Sequence, residues 1–234
     1  ISLHCKSVQL LSKCLHPMPD KFHGLEDVEL RYRQRYLDLI YNQQSKEVFK
    51  KRSCIIQTIR EVLLAEDFAE VETPMMHPIA GGALAKPFVT HHHALDMQLF
   101  MRIAPELYLK RLLIGGLDRV FEINRNFRNE GISTKHNPEF TELEFYQSYA
   151  DYHDLILLTE SMLRQVCERA CGNTFCEYQG QRIDFGKSFK RMSMRQAILE
   201  NHPQCSEAIL SDPKQALDFA KSLKLKTAEN LSLG

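Results

Sequence analysis

The side chains best suited to chemistry lie in one stretch, residues 120–149, with the sequence VFEINRNFRNEGISTKHNPEFTELEFYQSY. In its first half apolar residues fall mostly at odd positions and polar residues at even positions, which is the period-two pattern of a strand with two different faces. The second half alternates in the same way. Two adjacent antiparallel strands would therefore present one polar surface, formed by Arg128, Phe140, Glu142, Glu144 and Tyr146.

A loop of about ten residues, NEGISTKHNPE, joins the two predicted strands and is longer than the two to five residues of most hairpin loops. Its side chains suit a nucleotide. Arg128 could bind a phosphate, Glu130 could accept hydrogen bonds, His136 and Asn137 could donate them, and Phe140 offers a flat surface to a base. The alternative is an exposed charged hairpin. The sorting of both strands into two faces favours the binding site.

The segments FRNEGIS and HNPEFTELE resemble the second signature motif of class II aminoacyl-tRNA synthetases, in the form found in the lysyl-specific members. The resemblance implies an α+β catalytic domain with an antiparallel sheet flanked by helices. It also implies an enzyme that activates lysine with ATP to lysyl-adenylate and transfers it to the 3′ end of tRNA(Lys). In that reaction Arg128 would neutralise the α-phosphate and act as the catalytic residue, and His136 would contact the outer phosphates. Glu130, Asn137 and Phe140 would hold the nucleotide.

Lysine carries two ammonium groups, and a partly desolvated pocket must match them with carboxylates. The resemblance assigns lysine binding to one set of residues: Gly82, Ala104, Glu106, Glu144 and Tyr146. Two of these have simpler explanations. Gly82 could serve only a tight turn, and Glu106 could serve only to stabilise the helix dipole in the first turn of a helix.

The segments before the hairpin must position these residues. Apolar residues at helical spacing predict a helix over 45–66, and Val71 indicates a short strand that Pro74 ends. By resemblance this helix and strand are the first class II motif, through which two subunits form a homodimer. A helix and a strand with no role in dimerisation would give the same pattern.

Further elements are predicted from periodicity and from Gly and Pro punctuation. They are a strand ending near Ile103, a helix from Pro105 to near Gly115, a packing helix from Asp151 to Gly172, a hairpin turning at Gly180, and helices near 194–200 and 213–223.

The N-terminal segment ISLHCKSVQLLSKCL alternates like a strand and runs into the linker-like PMPDKFHG. By resemblance, residues 1–20 are the end of an oligonucleotide-binding barrel with its linker, and residues 21–234 are the catalytic domain. A lone N-terminal strand is an equal alternative. The following stretch, LEDVELRYRQRYLDLI, predicts one helix of mixed polarity, suited to an interface.

The third class II motif, a glycine-rich strand and helix with an arginine for ATP, is not found in residues 1–234. The magnesium-binding acids and the glutamate for the lysine side chain are also not found. Since the sequence opens at Ile1 and closes at Gly234, we expect a fragment that is inactive alone. We expect Mg²⁺ ligands beyond residue 234 and none within the fragment.

Composition adds few constraints. Thirty basic and thirty acidic residues give no net charge, so composition supplies no general attraction to RNA. Seven cysteines without a CxxC pair suit a reducing compartment, and no apolar run reaches membrane-spanning length, so we expect a cytoplasmic protein without membrane contact. We do not expect His91, His92 and His93 to bind a metal, because adjacent side chains on an extended chain point in opposite directions.

Two other functions compete with tRNA lysylation. One is a paralogous enzyme that lysylates a translation factor, and it is disfavoured by residues 1–39 and by the APELYLKRLL segment. The other is a non-catalytic relative that binds nucleotide or RNA or only dimerises. Residues beyond Gly234 that form a glycine-rich segment ending in arginine would favour the synthetase.

Overall fold

The computed structural model describes residues 2, 4–16 and 25–225. Within these residues the chain forms eight helices and eight strands. The helices are α1 (Val28–Arg33), α2 (Arg35–Tyr41), α3 (Gln43–Ala65), α4 (Glu106–Ile114), α5 (Tyr152–Cys171), α6 (Met194–Asn201), α7 (Glu207–Ser211) and α8 (Pro213–Ser222). The strands are β1 (Ala69–Glu70), β2 (Met76–His77), β3 (Val89–His92), β4 (Met97–Met101), β5 (Arg119–Phe127), β6 (Glu139–Gln147), β7 (Phe175–Tyr178) and β8 (Gln181–Asp184).

The strands form three small sheets with the orders β1-β5-β6, β2-β4-β3 and β7-β8. All of the pairings are antiparallel except that of β1 with β5, which is parallel. The predicted α+β class is therefore confirmed, with one parallel pair added to the expected antiparallel pattern. That pair has a simple origin, because the chain leaves β1, builds β2 to α4, and returns to β5 in the same direction.

The main core lies between β5, β6 and the long helices α3 and α5. Four odd-numbered side chains of the hairpin belong to it, namely Phe121, Ile123, Leu143 and Phe145. The Phe68 ring meets the Phe145 ring edge to face with centroids 5.9 Å apart. The buried members of this core are Val62, Leu63, Phe68, Phe121 and Met162. Since these odd-numbered side chains pack on the helices, the even-numbered side chains lie on the opposite face of the hairpin.

Capping explains where α5 begins and ends. The Asp151 carboxylate accepts from the Asp154 amide, and the Asp154 side chain accepts from the Asp151 amide, which is a reciprocal capping box. Gly172 ends the helix in the left-handed region at φ 76°. The predicted limits of this helix are confirmed.

Three sequence-based expectations need correction, and one falls on residues that the structure does not describe. Residues 2 and 4–16 form no strand, and Val8 and Leu10 are exposed, because no described segment pairs with them. The linker expected at 17–24, and with it the domain boundary at residue 20, lies outside the described residues. The single helix expected over 25–40 is two helices separated at Gln34, whose backbone is not helical (φ −117°, ψ 62°). Helix α7 was not expected.

The described chain divides into two compact units, residues 1–186 and residues 187–234. The second unit contains α6, α7 and α8. It begins its first helix with a capping box at Ser193, and the Arg195 guanidinium joins α6 to α7 through Glu207 and Ser211. Among the described residues of the whole chain, we find no helix that combines the length and the apolar character needed to cross a membrane.

Candidate active site

The register of β5 and β6 sorts the hairpin into two faces, and we call the polar one the even-numbered face. Glu122 lies opposite Glu144, Asn124 opposite Glu142, and Asn126 opposite Phe140. The members of the even-numbered face are Val120, Glu122, Asn124 and Asn126 of β5 and Phe140, Glu142, Glu144 and Tyr146 of β6. Opposed residues of an antiparallel pair share a face, so these side chains form one continuous surface.

An open pocket of about 250 Å³ lies at the loop end of this surface. It is lined by Arg128, Glu130, Gly131, Lys135, His136, Asn137 and Phe140. The structure thus brings together the five residues to which the sequence assigned a nucleotide. Sequence reasoning did not single out Lys135, although a basic side chain in such a loop is a signal for anion binding.

Arg128 directly follows β5 at the loop end of the even-numbered face, and its guanidinium makes few hydrogen bonds. Its guanidinium carbon lies 5.0 Å from the centre of the Phe140 ring, and Nη2 donates weakly to the Ile103 carbonyl at 3.5 Å. Nη2 is also 3.9 Å from Glu142 Oε2. Its Nε is buried and has no hydrogen-bond partner among the described residues. The Arg128 side chain as a whole is 33% exposed and lines the pocket, so its guanidinium can receive an anion there.

Main-chain hydrogen bonds hold the loop in place. The Arg128 amide donates to the Pro138 carbonyl at 2.9 Å, which closes the base of the loop. The Asn129 amide donates to the Lys86 carbonyl at 2.7 Å, and the Lys86 amide donates to the Glu130 carboxylate at 3.4 Å. The loop is therefore fixed to the segment that precedes β3.

Within the loop a small turn sets the position of His136. The amides of Ser133 and His136 each donate to the other residue's carbonyl at 3.2 Å. The Ser133 hydroxyl also lies 2.8 Å from His136 Nδ1. With Nδ1 occupied by a neighbour, Nε2 is the ring nitrogen that remains for a ligand.

Three of the predicted lysine-binding residues meet at the N-terminus of α4. Gly82 has φ +90°, and a Cβ placed there would lie 3.3 Å from the Cβ atoms of both Ala104 and Glu106. A side chain at this position would be strained and crowded, so the close approach of the two segments requires glycine. Glu106 begins α4, as the sequence predicts.

The other two lie together on β6. The Tyr146 hydroxyl donates to Glu144 Oε2 at 2.8 Å. Burial raises the pKa of Glu144, the bond from Tyr146 lowers it, and the nearby carboxylates of Glu142 and Glu106 raise it again. Burial and the bond to Glu144 raise the pKa of Tyr146, so the phenol stays protonated and remains a donor. Three carboxylates facing one region create a demand for a cation.

The ammonium group of Lys110 partly balances the charge of these carboxylates. Lys110 Nζ lies 2.5 Å from Glu106 Oε1 and 5.9 Å from the centre of the Tyr146 ring. Lys110 is one helical turn beyond Glu106, which is the usual spacing of a helix ion pair. The site therefore already holds an ammonium group next to a carboxylate and an aromatic ring.

Beneath the polar surface lies an ion pair that sequence reasoning missed. Arg102 Nη1 donates to Glu122 Oε1 at 2.7 Å, and both side chains are 1% exposed. The Thr73 hydroxyl donates to Glu122 Oε2 at 2.7 Å, and Arg102 Nε donates to a main-chain carbonyl of β5 at 2.9 Å. The available signal was an arginine inside the otherwise apolar run FMRIAP.

The three consecutive histidines lie at the end of β3. His91 Nε2 is 3.2 Å from the exposed Asp96 carboxylate, and His92 Nδ1 accepts from the Leu95 amide. The described residues contain no group of three or more His, Cys, Asp or Glu side chains that could hold a metal ion.

Residues 27–226 match the family model described as tRNA synthetases class II (D, K and N). This match covers most of the chain and contains both strands of the hairpin. The chain belongs to this family.

Individual relatives agree with the family match. The chain is 56% identical over all of its 234 residues to the lysine–tRNA ligase of Erwinia tasmaniensis, covering 46% of that protein. It is 59% identical over 212 residues to the lysine–tRNA ligase of Laribacter hongkongensis, which is 91% of the chain and 42% of that protein. The corresponding ligase of Thioalkalivibrio sulfidiphilus is 55% identical over 234 residues, with 47% of its length covered. The chain spans about half the length of these curated relatives.

The buried ion pair gives a stability prediction. Arg102→Met leaves the Glu122 carboxylate buried without its cation, and we expect the free energy of unfolding to fall by about 3–5 kcal/mol. Arg125→Met is the matched control, because the Arg125 guanidinium lies 3.5 Å from Glu139 with both side chains about half exposed. We expect that change to cost less than about 1 kcal/mol. Chemical denaturation of both variants measures the difference, and equal losses would contradict a structural role for the buried pair.

Proposed function

We propose that the full-length protein containing this chain is a lysine–tRNA ligase. It activates lysine with ATP to lysyl-adenylate and transfers the lysyl group to the 3′ end of tRNA(Lys). One observation carries the proposal. Arg128 and the Phe140 ring line the pocket at the loop end of the even-numbered face, and the carboxylates of Glu144, Glu142 and Glu106 lie close together further along it.

The first step joins the two ends of this surface. A carboxylate oxygen of lysine attacks the α-phosphorus of ATP, a bond forms between them, and the bond from the α-phosphorus to its bridging oxygen breaks to release pyrophosphate. The reaction needs no side-chain nucleophile, because positioning and charge stabilisation are enough for such a displacement. In the second step a ribose hydroxyl of the tRNA attacks the lysyl carbonyl, and AMP leaves.

The residues proposed to bind the nucleotide have different roles, which follow from the chemistry of their side chains. Arg128 contacts the α-phosphate and stabilises the charge that builds up there. His136 contacts the outer phosphates, and Phe140 packs against the adenine ring. Glu130 and Asn137 hold the nucleotide by hydrogen bonds. All five of these residues line one pocket, which supports this assignment.

The residues proposed to bind lysine match the two ammonium groups of this substrate. Glu106 binds the α-ammonium group. Gly82 and Ala104 allow the two segments that carry them to approach each other closely, which keeps the pocket small. Glu144, with its oxygen fixed by the Tyr146 hydroxyl, forms the wall that reads the substrate. An ammonium group entering between these carboxylates offsets their mutual repulsion, which is the origin of the selectivity for a cationic amino acid.

Magnesium accompanies ATP in the proposed reaction. The described residues do not fit a magnesium site: no cluster of metal-binding side chains is present among them, and Glu122 is fully engaged with Arg102 and Thr73. We therefore assign no magnesium ligand to these residues and derive no step through the metal.

We further propose that the protein acts as a homodimer through α3 and the segment that ends at Pro74. Exposed apolar side chains on α3 support this assignment, since Val48 is 64% exposed and Phe49 is 44% exposed. Val48 also lines a shallow groove together with Lys51, Arg52, Ile55 and Ile56. Apolar surface of this kind is typical of an interface.

The role of Arg128 can be tested by exchange of pyrophosphate into ATP in the presence of lysine. In the full-length enzyme, Arg128→Ala removes the group that stabilises the charge on the α-phosphate, and we expect the rate to fall by on the order of 10² or more. Arg125→Ala is the control, because Arg125 lies on β5, three residues before Arg128, with its side chain on the face opposite the even-numbered face. A loss below roughly tenfold for Arg128→Ala would remove this residue from the role.

The acid limb of the pH profile tests Glu144. Lysine binding requires its ionised form, and its raised pKa means that kcat/KM for lysine falls as the pH drops through that pKa. The bond from Tyr146 lowers this pKa, so Tyr146→Phe should move the acid limb to higher pH. Tyr149→Phe is the control, since Tyr149 is fully exposed. An acid limb that stays in place, or moves to lower pH, in Tyr146→Phe would contradict the assignment.

A further inference from the structure

Glu142 is a carboxylate on the even-numbered face to which neither the sequence nor the proposed mechanism gives a role. It lies two residues from Glu144 on the same strand and opposite Asn124. Its side chain is 31% exposed, and that of Arg128 is 33% exposed. The two groups are thus partly screened from water and face each other within the proposed site.

A single oxygen of Glu142 meets two donors. Asn126 Nδ2 donates to Glu142 Oε2, and Arg128 Nη2 lies 3.9 Å from the same oxygen. Asn126 is 1% exposed and sits in the β5 ladder, so it offers a fixed anchor for the carboxylate. The position of Glu142 next to Arg128 is therefore set by the protein and needs no substrate.

The pairing of Arg128 is incomplete in this arrangement. At 3.9 Å the contact with Glu142 is longer than a direct charge-assisted hydrogen bond, and Arg128 Nε has no acceptor among the described residues. A phosphate could satisfy the guanidinium better than Glu142 does. The carboxylate is close enough to attract the guanidinium before ATP binds, and their 3.9 Å contact is long enough for a phosphate to replace it.

We propose that Glu142 is a positioning residue that acts as a placeholder anion for Arg128. Its carboxylate pairs with the Arg128 guanidinium until the α-phosphate of ATP replaces the carboxylate. This inference rests on the proposed function, because it takes ATP as the anion that Arg128 receives. ATP binding then includes the cost of separating Arg128 from Glu142. The pair keeps the arginine beside Phe140 and the Ile103 carbonyl, ready for the phosphate.

Equilibrium binding of ATP to the full-length protein, measured by titration calorimetry without lysine, tests the placeholder. Glu142→Gln keeps an oxygen for Asn126 and removes the negative charge. We expect ATP to bind about fivefold more tightly to this variant, because a partly exposed ion pair of this kind is worth about 1 kcal/mol. A residue that merely supports the fold would weaken ATP binding when it is changed.

A double-mutant cycle separates the placeholder from a general effect of charge. In the Arg128→Ala background, Glu142→Gln should change ATP affinity by less than about twofold, because the competitor acts through the arginine. Glu139→Gln is the matched control, since it removes the same charge from β6 on the opposite face and from an exposed side chain. We expect no more than about a twofold change in ATP affinity for this control.

The outcomes distinguish this inference from the proposed function. If Arg128→Ala does not weaken ATP binding, the proposed function itself fails at this residue. If Arg128→Ala weakens binding but Glu142→Gln leaves it unchanged or weaker, only the placeholder is overturned. An equal gain from Glu142→Gln with and without Arg128 would also overturn it, because the effect would then be general electrostatics.

Discussion

The buried ion pair between Arg102 and Glu122 is the interaction on which the geometry of the site depends. The Arg102 main chain also takes part, since its amide donates to the Met75 carbonyl at 2.8 Å and its carbonyl accepts from the Phe127 amide at 2.9 Å. One residue therefore joins the segment after β1, the end of β4 and the end of β5. A pair of charges with 1% exposure is costly unless every group is satisfied, and here Thr73 and the main chain of β5 supply the missing partners. The arrangement fixes one position of these segments instead of a range of positions.

That constraint brings the two halves of the proposed substrate site together. Ile103 and Ala104 follow Arg102 directly, so the carbonyl that meets Arg128 and the Cβ that meets Gly82 are both placed by the ion pair. The odd-numbered face of the hairpin packs on α3 and α5, and the even-numbered face turns its charges towards the site. Burial and the nearby carboxylates of Glu142 and Glu106 raise the pKa of Glu144, and this concentration of negative charge favours a cation.

Local patterns gave those parts of the fold that depend on local physics. The alternation of residues 120–149 predicted the two faces, and Pro105 and Gly172 marked the helix limits, because periodicity, capping and glycine conformation act over a few residues. The pair of Arg102 with Glu122 joins positions 20 apart in the chain, and no local pattern reports such a contact. Glu142 was placed on the correct face, but its meeting with Asn126 and Arg128 requires the register and side-chain positions of the folded hairpin. The strand expected near Val8 fails for a related reason, since a strand needs a neighbour that alternation alone cannot supply.

The most direct measurement is a crystal structure of the full-length protein with a non-hydrolysable analogue of lysyl-adenylate. We expect the adenine against Phe140, the phosphate-like group within hydrogen-bonding distance of Arg128, and the α-ammonium group of the lysyl part at Glu106. An analogue bound away from the even-numbered face, or bound there with Arg128 and Glu106 making no contact to it, would contradict the assignment of this hairpin as the wall of a lysyl-adenylate site.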